Sequence, residues 1–328
     1  MILFSVLIHN KRAKSGSNSH VCHRQNSCTC DNRSEALSEH CYKRNNTNTT
    51  TRTTRTAAKQ QHKETIMSSL SNLKCLVTGA SSGIGKATCT ALAAEGATVV
   101  GVGRNEASLK ELADAGHLAG YVVADLVEDG ACKRVVEEAL SKLGGELTTL
   151  VNNAGILKGG AAGDPGTDLS NYEKNMGLNT RVPFELMHLT VPYLEKHPNV
   201  ASIVNVSSVN GKQAFAKCMS YCMSKAALDM MARCASVDLA PKGIRVNNVN
   251  PGCITTNLHR SAGMNEDQYA AFVKRSVEVT HPLSQSLGRM GDPSEVAEVI
   301  AFLVGGKAKF LTGECIAIDG ARQNLGSR

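Results

Sequence analysis

The chain of 328 residues is 42% hydrophobic, contains no tryptophan, and has no apolar run near the roughly 18 residues of a membrane-crossing helix, so it reads as soluble, with one large domain or two small ones. Its charge is uneven: residues 1–66 hold 11 Lys or Arg against 4 Asp or Glu, whereas residues 67–328 hold 25 of each. The neutral remainder gives no global pull toward nucleic acid or an anionic membrane, and neither is expected as a partner.

The same boundary shows in composition. "NNTNTTTRTTRTAAKQQHKET" has almost nothing to bury and cannot offset the entropy of ordering, so residues 1–66 are expected to be disordered or a non-native leader. A secretory signal is disfavoured, because Lys11, Arg12 and Lys14 follow the apolar "MILFSVLI" rather than precede it. A transit peptide suits the Arg/Ser/Thr-rich, acid-poor character better and would imply a mitochondrial setting in place of a cytoplasmic one. The leader's four cysteines and its histidines match no zinc spacing, and no metal is expected. The favoured reading is that Met67 begins the working protein, residues 67–328 forming a single domain. Its eight cysteines, among them Cys75, Cys89, Cys234 and Cys315, lie singly in apolar segments, as small buried hydrophobes in a reducing compartment do.

From residue 73 short β-branched runs alternate with helical periods. "LKCLVT" is followed by a helix from about Ile84 to Glu95, then "ATVVGV", a second helix, "GYVVAD", a third, and "LTTLVNNAG". "ASIVNVSS", a helix carrying Tyr221, "GIRVNNVNPG" and "GECIAIDG" complete the series. Such alternation predicts an α/β fold, a Rossmann-like doubly wound parallel sheet of about seven strands with helices on both faces. Ligands bind such sheets beyond the carboxyl ends of the strands, which directs attention there.

The first strand end reads "VTGASSGIGKAT", from Val77 to Thr88. Glycines there permit a tight turn and close approach of phosphate, while the following helix offers free N–H groups to a diphosphate. Its spacing is G-x-x-x-G-x-G rather than G-x-G-x-x-G. At the second strand end Gly103 replaces the acid that selects NAD, and Arg104 beside it suits the extra phosphate of NADP. Asp125, at the third, can accept from an adenine amino group or cap the next helix. Asn152 and Asn153, at the fourth, can fix backbone and ribose positions.

These motifs, with Asn179 in "MGLNTRVPF", Ser208, Y-x-x-x-K at Tyr221–Lys225 and P-G-x-I-x-T at Pro251–Thr256, resemble the short-chain dehydrogenase/reductase family in its single-domain form, across residues 70–322. Within it, "IVNVSSVNG", "APKGIRVN" and "NPGCITT" look like 3-oxoacyl-carrier-protein reductases and dicarbonyl or L-xylulose reductases. The resemblance implies a catalytic set of Asn179, Ser208, Tyr221 and Lys225. It implies cofactor contacts at Thr78, Gly79, Ser81, Ser82, Gly83, Ile84, Gly85, Arg104, Asp125, Leu126, Asn153, Ala154, Gly155, Tyr221, Lys225, Pro251, Gly252, Ile254 and Thr256. It further implies that Lys225 bonds the nicotinamide ribose, that Asn179 anchors a water linking Lys225 to solvent, and that the protein is a homotetramer or homodimer.

Reducing a carbonyl places charge on its oxygen, so a proton donor must stand beside it. Residues at i and i+4 share a helical face, and a cation about 5 Å from the Tyr221 phenolate, at an effective dielectric of about 20, stabilises it by roughly 3 kcal/mol, which predicts a pKa near 8. Ser208 would hold the carbonyl oxygen. Residues 257–283, with a short amphipathic helix, are expected to act as a lid, and with "VNGKQAFAKCM" to line the substrate pocket. Arg260 or Lys212 would meet an acidic substrate there, and Met264, Tyr269 and Phe215 an apolar one.

The leading function is thus an NADPH-dependent reductase turning a ketone, dicarbonyl or 3-oxoacyl group into an alcohol. The alternatives are an NAD-dependent alcohol dehydrogenase and a non-catalytic NADP-binding protein.

Overall fold

The computed structural model describes residues 70–163 and 169–325. The leader, with the disorder, targeting and metal-binding readings attached to it, lies outside them.

Each predicted apolar run becomes a strand. β1 (Lys74–Thr78), β2 (Thr98–Gly103), β3 (Gly120–Val123), β4 (Thr149–Asn152), β5 (Ser202–Val206), β6 (Arg245–Pro251) and β7 (Cys315–Ile318) pair in parallel in the order β3-β2-β1-β4-β5-β6-β7. Between them run α1 (Gly83–Ala94), α2 (Glu106–Asp114), α3 (Ala131–Lys142), α4 (Leu169–Met176), α5 (Val182–Leu194), α6 (Met219–Leu239), α7 (Leu258–Ser261), α8 (Glu266–Arg275), α9 (Pro282–Leu287) and α10 (Pro293–Val304). The order reverses between β1 and β4, which opens a crevice at their carboxyl ends.

Alternation along the strands makes two cores. Leu76, Leu150 and Ile203 face one side, packing with Val135, Leu186 and Ala232; Val77, Val151 and Val204 face the other, with Leu92, Val296 and Ile300. Both faces are covered, as continuous apolar strands require. The cysteines divide more finely than expected: Cys75, Cys89, Cys132 and Cys218 are buried, Cys315 is half-buried, and Cys234 is exposed on α6, whose inward face is filled by Ala232 and Ala235.

One buried cation ties the sheet to its last helix. Arg245, at the start of β6, donates through Nη1 to the carbonyls of Leu303 (2.5 Å) and Ala308 (3.2 Å) and through Nη2 to that of Val304 (3.2 Å). It thus closes the C-terminus of α10, where carbonyls lack helical partners and the dipole favours a cation. Arg245→Met keeps the stem and leaves those carbonyls unpaired. The expected loss is about 2–4 kcal/mol, read as a lower denaturant midpoint at unchanged slope. A midpoint equal to the parent's would refute this role.

Candidate active site

The crevice is a cleft of about 1250 Å³ lined by the glycine turn, the ends of β2 to β6 and the segment after Pro251. Its floor is a clasp between β1 and β4. The Thr78 hydroxyl accepts from the backbone N–H groups of Asn153 (2.9 Å) and Ala154 (3.0 Å), while the Asn153 amide donates to the carbonyls of Thr78 (2.9 Å) and Gly79 (3.2 Å). Asn152 donates instead to Asn205 across the sheet (2.9 Å). Both amide nitrogens are therefore spent on backbone and sheet, as the backbone-fixing role read from sequence implies, while Asn153 also lines the cleft.

The turn itself fits a diphosphate. Gly79 (φ 68°) and Gly83 (φ 52°) hold left-handed conformations, and a Cβ on Gly85 would lie 2.2 Å from the Gly79 carbonyl oxygen. Ser82 opens α1 without a side-chain cap, which leaves the first N–H groups of the helix toward the cleft. Thr256 lies against this turn, its methyl 3.1 Å from where a Gly83 Cβ would stand. Ser81, Ser82, Gly83 and Ile84 all line the cleft.

At the end of β2 a Cβ on Gly103 would fall 2.9 Å from the Ser81 hydroxyl, so the missing acid has a packing reason as well. Arg104 is 70% exposed and stands 3.7 Å from Asp125, a weak pair. Asp125 also accepts from the Val127 N–H (3.3 Å), stabilising a turn; α3 begins later, after Gly130, so Asp125 is not its cap. Leu126 and Val127 line the same wall.

The proton-handling residues meet deeper in. Tyr221 and Lys225 fall on the buried face of α6, at 5% and 4% exposure, and both line the cleft. The Lys225 Nζ donates to the Val206 carbonyl (2.9 Å) and lies 5.9 Å from the centre of the Tyr221 ring. Gly155 lies beside it, and a Cβ there would stand in ordinary contact with Nζ (3.6 Å) but crowd the Asn179 side-chain oxygen (3.1 Å). Ser208, extended beyond β5, accepts from the Asn210 N–H (3.1 Å) and stands beside the Tyr221 phenol, whose pKa its hydroxyl lowers. Asn179 sits in a π-type turn (Gly177–Arg181) joining α4 to α5, a local widening unsignalled in the sequence pattern. Its side chain accepts from the Ile156 N–H (2.9 Å) and donates to the Ile156 carbonyl (2.9 Å) and to Ser224 (3.0 Å), fixing the loop after β4.

The electrostatics correct one expectation. Burial pushes the Tyr221 phenol up to about 12, against the Ser208 hydrogen bond, rather than down to the value anticipated near neutrality. Burial also pulls Lys225 down to about 8, opposed by the Asp229 carboxylate. Enclosure costs the phenolate more than the Ser208 hydroxyl returns, and the Lys225 amine is not among the groups that lower it. The phenol therefore keeps its proton near neutrality.

The lid differs in detail. Residues 257–283 form α7, α8 and a π-type turn (Ser276–Thr280) before α9, more than the one short helix expected. Arg260 pairs with Glu266 (2.8 Å) and stacks on Tyr269, 3.7 Å from its centroid, while Lys212 donates to the Cys315 carbonyl (2.5 Å). Arg260, Lys212, Met264, Tyr269 and Phe215 are all absent from the cleft lining; Leu157, Lys158, Leu258, His259 and Ser261 supply the wall instead. Their signal was position: two lie within three residues of the Asn-Asn-Ala-Gly run, and three closely follow the Pro-Gly segment. Pro251, Gly252 and Ile254 do line the cleft; Gly252 is pressed close to His281 and Asp319, and Ile254 is buried against Gly291.

A parallel sheet with a switch-point cleft, a glycine turn and a buried Tyr–Lys pair defines a nucleotide-binding α/β enzyme. A family model described as Enoyl-(Acyl carrier protein) reductase matches residues 79–321. The chain is 36% identical to a 3-oxoacyl-[acyl-carrier-protein] reductase of Thermotoga maritima, covering 75% of this chain and 96% of the relative. It is 33% identical to an L-xylulose reductase of Caenorhabditis elegans, covering 76% and 96%. A solved short-chain dehydrogenase/reductase of unknown function from Caenorhabditis elegans, crystallised with cofactor, superposes with a TM-score of 0.71 at 30% identity, covering 79% of this chain and 97% of that one. The chain belongs to the short-chain dehydrogenase/reductase family of oxidoreductases.

Proposed function

We propose that this protein is an NADPH-dependent carbonyl reductase, with Tyr221 as the proton donor and residues 67–328 as its working domain. The observation that carries this reading is the meeting of Ser208, Tyr221 and Lys225 in the same cleft as the glycine turn. The turn from Gly79 to Gly85 and the start of α1 would hold the diphosphate, with Thr78 and Asn153 keeping that turn in shape and Thr256 beside it. Asp125 and Leu126 would flank the adenine, and Ala154, Gly155, Pro251, Gly252 and Ile254 the nicotinamide. When bound, the reduced nicotinamide supplies a hydride to the carbonyl carbon.

The chain's own residues do the rest. Ser208 donates a hydrogen bond to the carbonyl oxygen, and Tyr221 passes its phenolic proton to that oxygen as charge develops there. The phenol is protonated near neutrality, as a proton donor must be, and the forming alkoxide is the stronger base that takes the proton. Lys225, charged below about pH 8, steadies the phenolate left behind, and Asn179 would anchor the water by which the proton is replaced. Exposed Phe184 on α5 and Met223, Met230 and Val237 on α6 support a homotetramer or homodimer in which a second copy covers them.

Arg104 is the residue assigned to the 2′-phosphate. Its pairing with Asp125 favours a second reading, an NAD-dependent alcohol dehydrogenase in which the guanidinium is already engaged. The test is to follow nicotinamide absorbance with the full chain, NADPH or NADH, and a panel of diketones, ketoses and 3-oxoacyl thioesters. NADPH should show the lower KM, and Arg104→Ala should raise that KM about tenfold while leaving the NADH value unchanged, as expected for one exposed charged contact. Equal KM values for both cofactors in the parent protein would reject the NADPH assignment.

A further inference from the structure

Behind the Tyr221–Lys225 pair, one turn further along α6, lies a buried carboxylate that the reaction as described does not use. Asp229 is 3% exposed. Its Oδ1 accepts from the amides of Asn248 (2.9 Å) and Asn250 (3.1 Å), and its Oδ2 from that of Asn250 (2.8 Å). The same Asn250 amide donates to the backbone carbonyl of Ser208 (2.8 Å). A carboxylate accepts only, and donors aimed at both its oxygens suit the ionised form.

The turn that follows Ser208 rests on this group. A Cβ on Gly211 would lie 2.6 Å from the Asp229 Oδ2 and 3.0 Å from the Lys225 carbonyl, so the turn lies flat on α6 only because residue 211 has no side chain. Beyond Asn248 the polar chain continues through Asn205 (2.8 Å) to Asn152 (2.9 Å), anchoring the carboxylate to three central strands. Asp229, carried by α6, is thus bonded directly to β6 and, through Asn250, to the turn that presents Ser208.

We propose that Asp229 is a positioning residue of the reaction: a buried negative charge that keeps the Lys225 amine protonated and, through Asn250, holds Ser208 in place. This rests on the reading of Tyr221 as proton donor given above. Lys225 meets the Val206 carbonyl from β5, Gly155 from the loop after β4, and Tyr221 on its own helix. Among the described residues, Asp229 is the one charged group that raises its proton affinity. Asp229 itself is approached by the Cys315 thiol from β7, with Arg233 on α6 and Lys212 from the turn also bearing on that thiol. Lys212 and Arg233 are exposed to solvent, so their charges are screened where that of the enclosed Lys225 is not. A residue that merely filled space would leave the Lys225 titration where it is.

The test separates charge from scaffold. Asp229→Asn keeps shape and removes charge; Asn250→Ser keeps the charge and removes the bridge to Ser208. In the full chain carrying ¹³Cε-lysine, the Lys225 resonance, identified by its loss in Lys225→Met, should titrate near pH 8 in the parent. In Asp229→Asn it should titrate about one unit lower, as loss of one nearby opposite charge implies. The alkaline limb of kcat/KM for carbonyl reduction should move the same way, with kcat at least about tenfold down. In Asn250→Ser kcat should fall while the limb stays put. An unmoved Lys225 resonance in Asp229→Asn overturns the proposal, as does a limb shifted equally by Asn250→Ser. If Asp229→Asn gives no folded protein, Asp229→Ser is measured in its place; failure of both to fold makes the residue scaffold and also overturns it. A moved resonance in a protein without reductase activity would leave this assignment standing and refute the reading of Tyr221.

Discussion

Tyr221→Phe is expected to lower the turnover of carbonyl reduction by roughly 10²–10⁴-fold, the usual contribution of a positioned general acid, while cofactor affinity changes by no more than a few-fold. The change removes one oxygen. The ring stays packed in a site only 5% exposed, and Lys225 keeps its bond to the Val206 carbonyl, so the groove retains its shape. What disappears is the proton held beside the carbonyl oxygen, together with the hydrogen bond to Ser208. The loss should therefore appear in kcat and kcat/KM alike, the pattern of an interaction made in the transition state. Single-turnover kinetics with a cofactor fluorescence titration measure both quantities. Turnover equal to the parent's would take Tyr221 out of the chemistry.

Much of this architecture was legible before any coordinates, because the signals were local. Seven apolar runs at helix-sized intervals implied the sheet, and the glycine turn and the Tyr–Lys spacing implied a shared cleft, since strand ends converge in doubly wound folds. What escaped depends on distant parts of the chain. The phenol pKa was judged from a neighbour one helical turn away, yet it is set mainly by enclosure, which no four-residue spacing encodes. Arg260 and Lys212 looked available for substrate, but Glu266 and the Cys315 carbonyl take them, one a neighbour across a turn and the other about a hundred residues on. The run Asn152–Asn205–Asn248–Asp229 joins three strands to a helix and has no sequence signature at all. The π-type turn that buries Asn179 likewise disturbs helical periodicity too little to be seen in the residues.

Gly85→Ala is the second change with a large expected effect, and it separates the glycine turn's packing role from its phosphate role. The added Cβ would stand 2.2 Å from the Gly79 carbonyl oxygen and 2.4 Å from the Asn153 amide nitrogen, distances that no rotamer relieves because the first contact is backbone. Either α1 withdraws from β1 or the turn opens, and each breaks the clasp in which Asn153 donates to the Thr78 and Gly79 carbonyls. Overpacking of a closed site costs about 1–3 kcal/mol, and two partly buried hydrogen bonds lost with it add about 1 kcal/mol each. A stability loss of about 3–5 kcal/mol follows, visible as a lower denaturant midpoint. Dinucleotide affinity should fall by more than about a hundredfold, because moving the turn displaces the Ser82–Gly83 N–H groups from the cleft. Ala80, by contrast, is already a side-chain-bearing member of the same turn, and Ala80→Gly should leave affinity within a few-fold. Calorimetric titration of both variants with NADPH distinguishes a turn whose glycines are required by contact from one in which flexibility alone matters. A Gly85→Ala protein that binds as the parent does would show that the close approach of residues 79 and 85 is not what shapes the site.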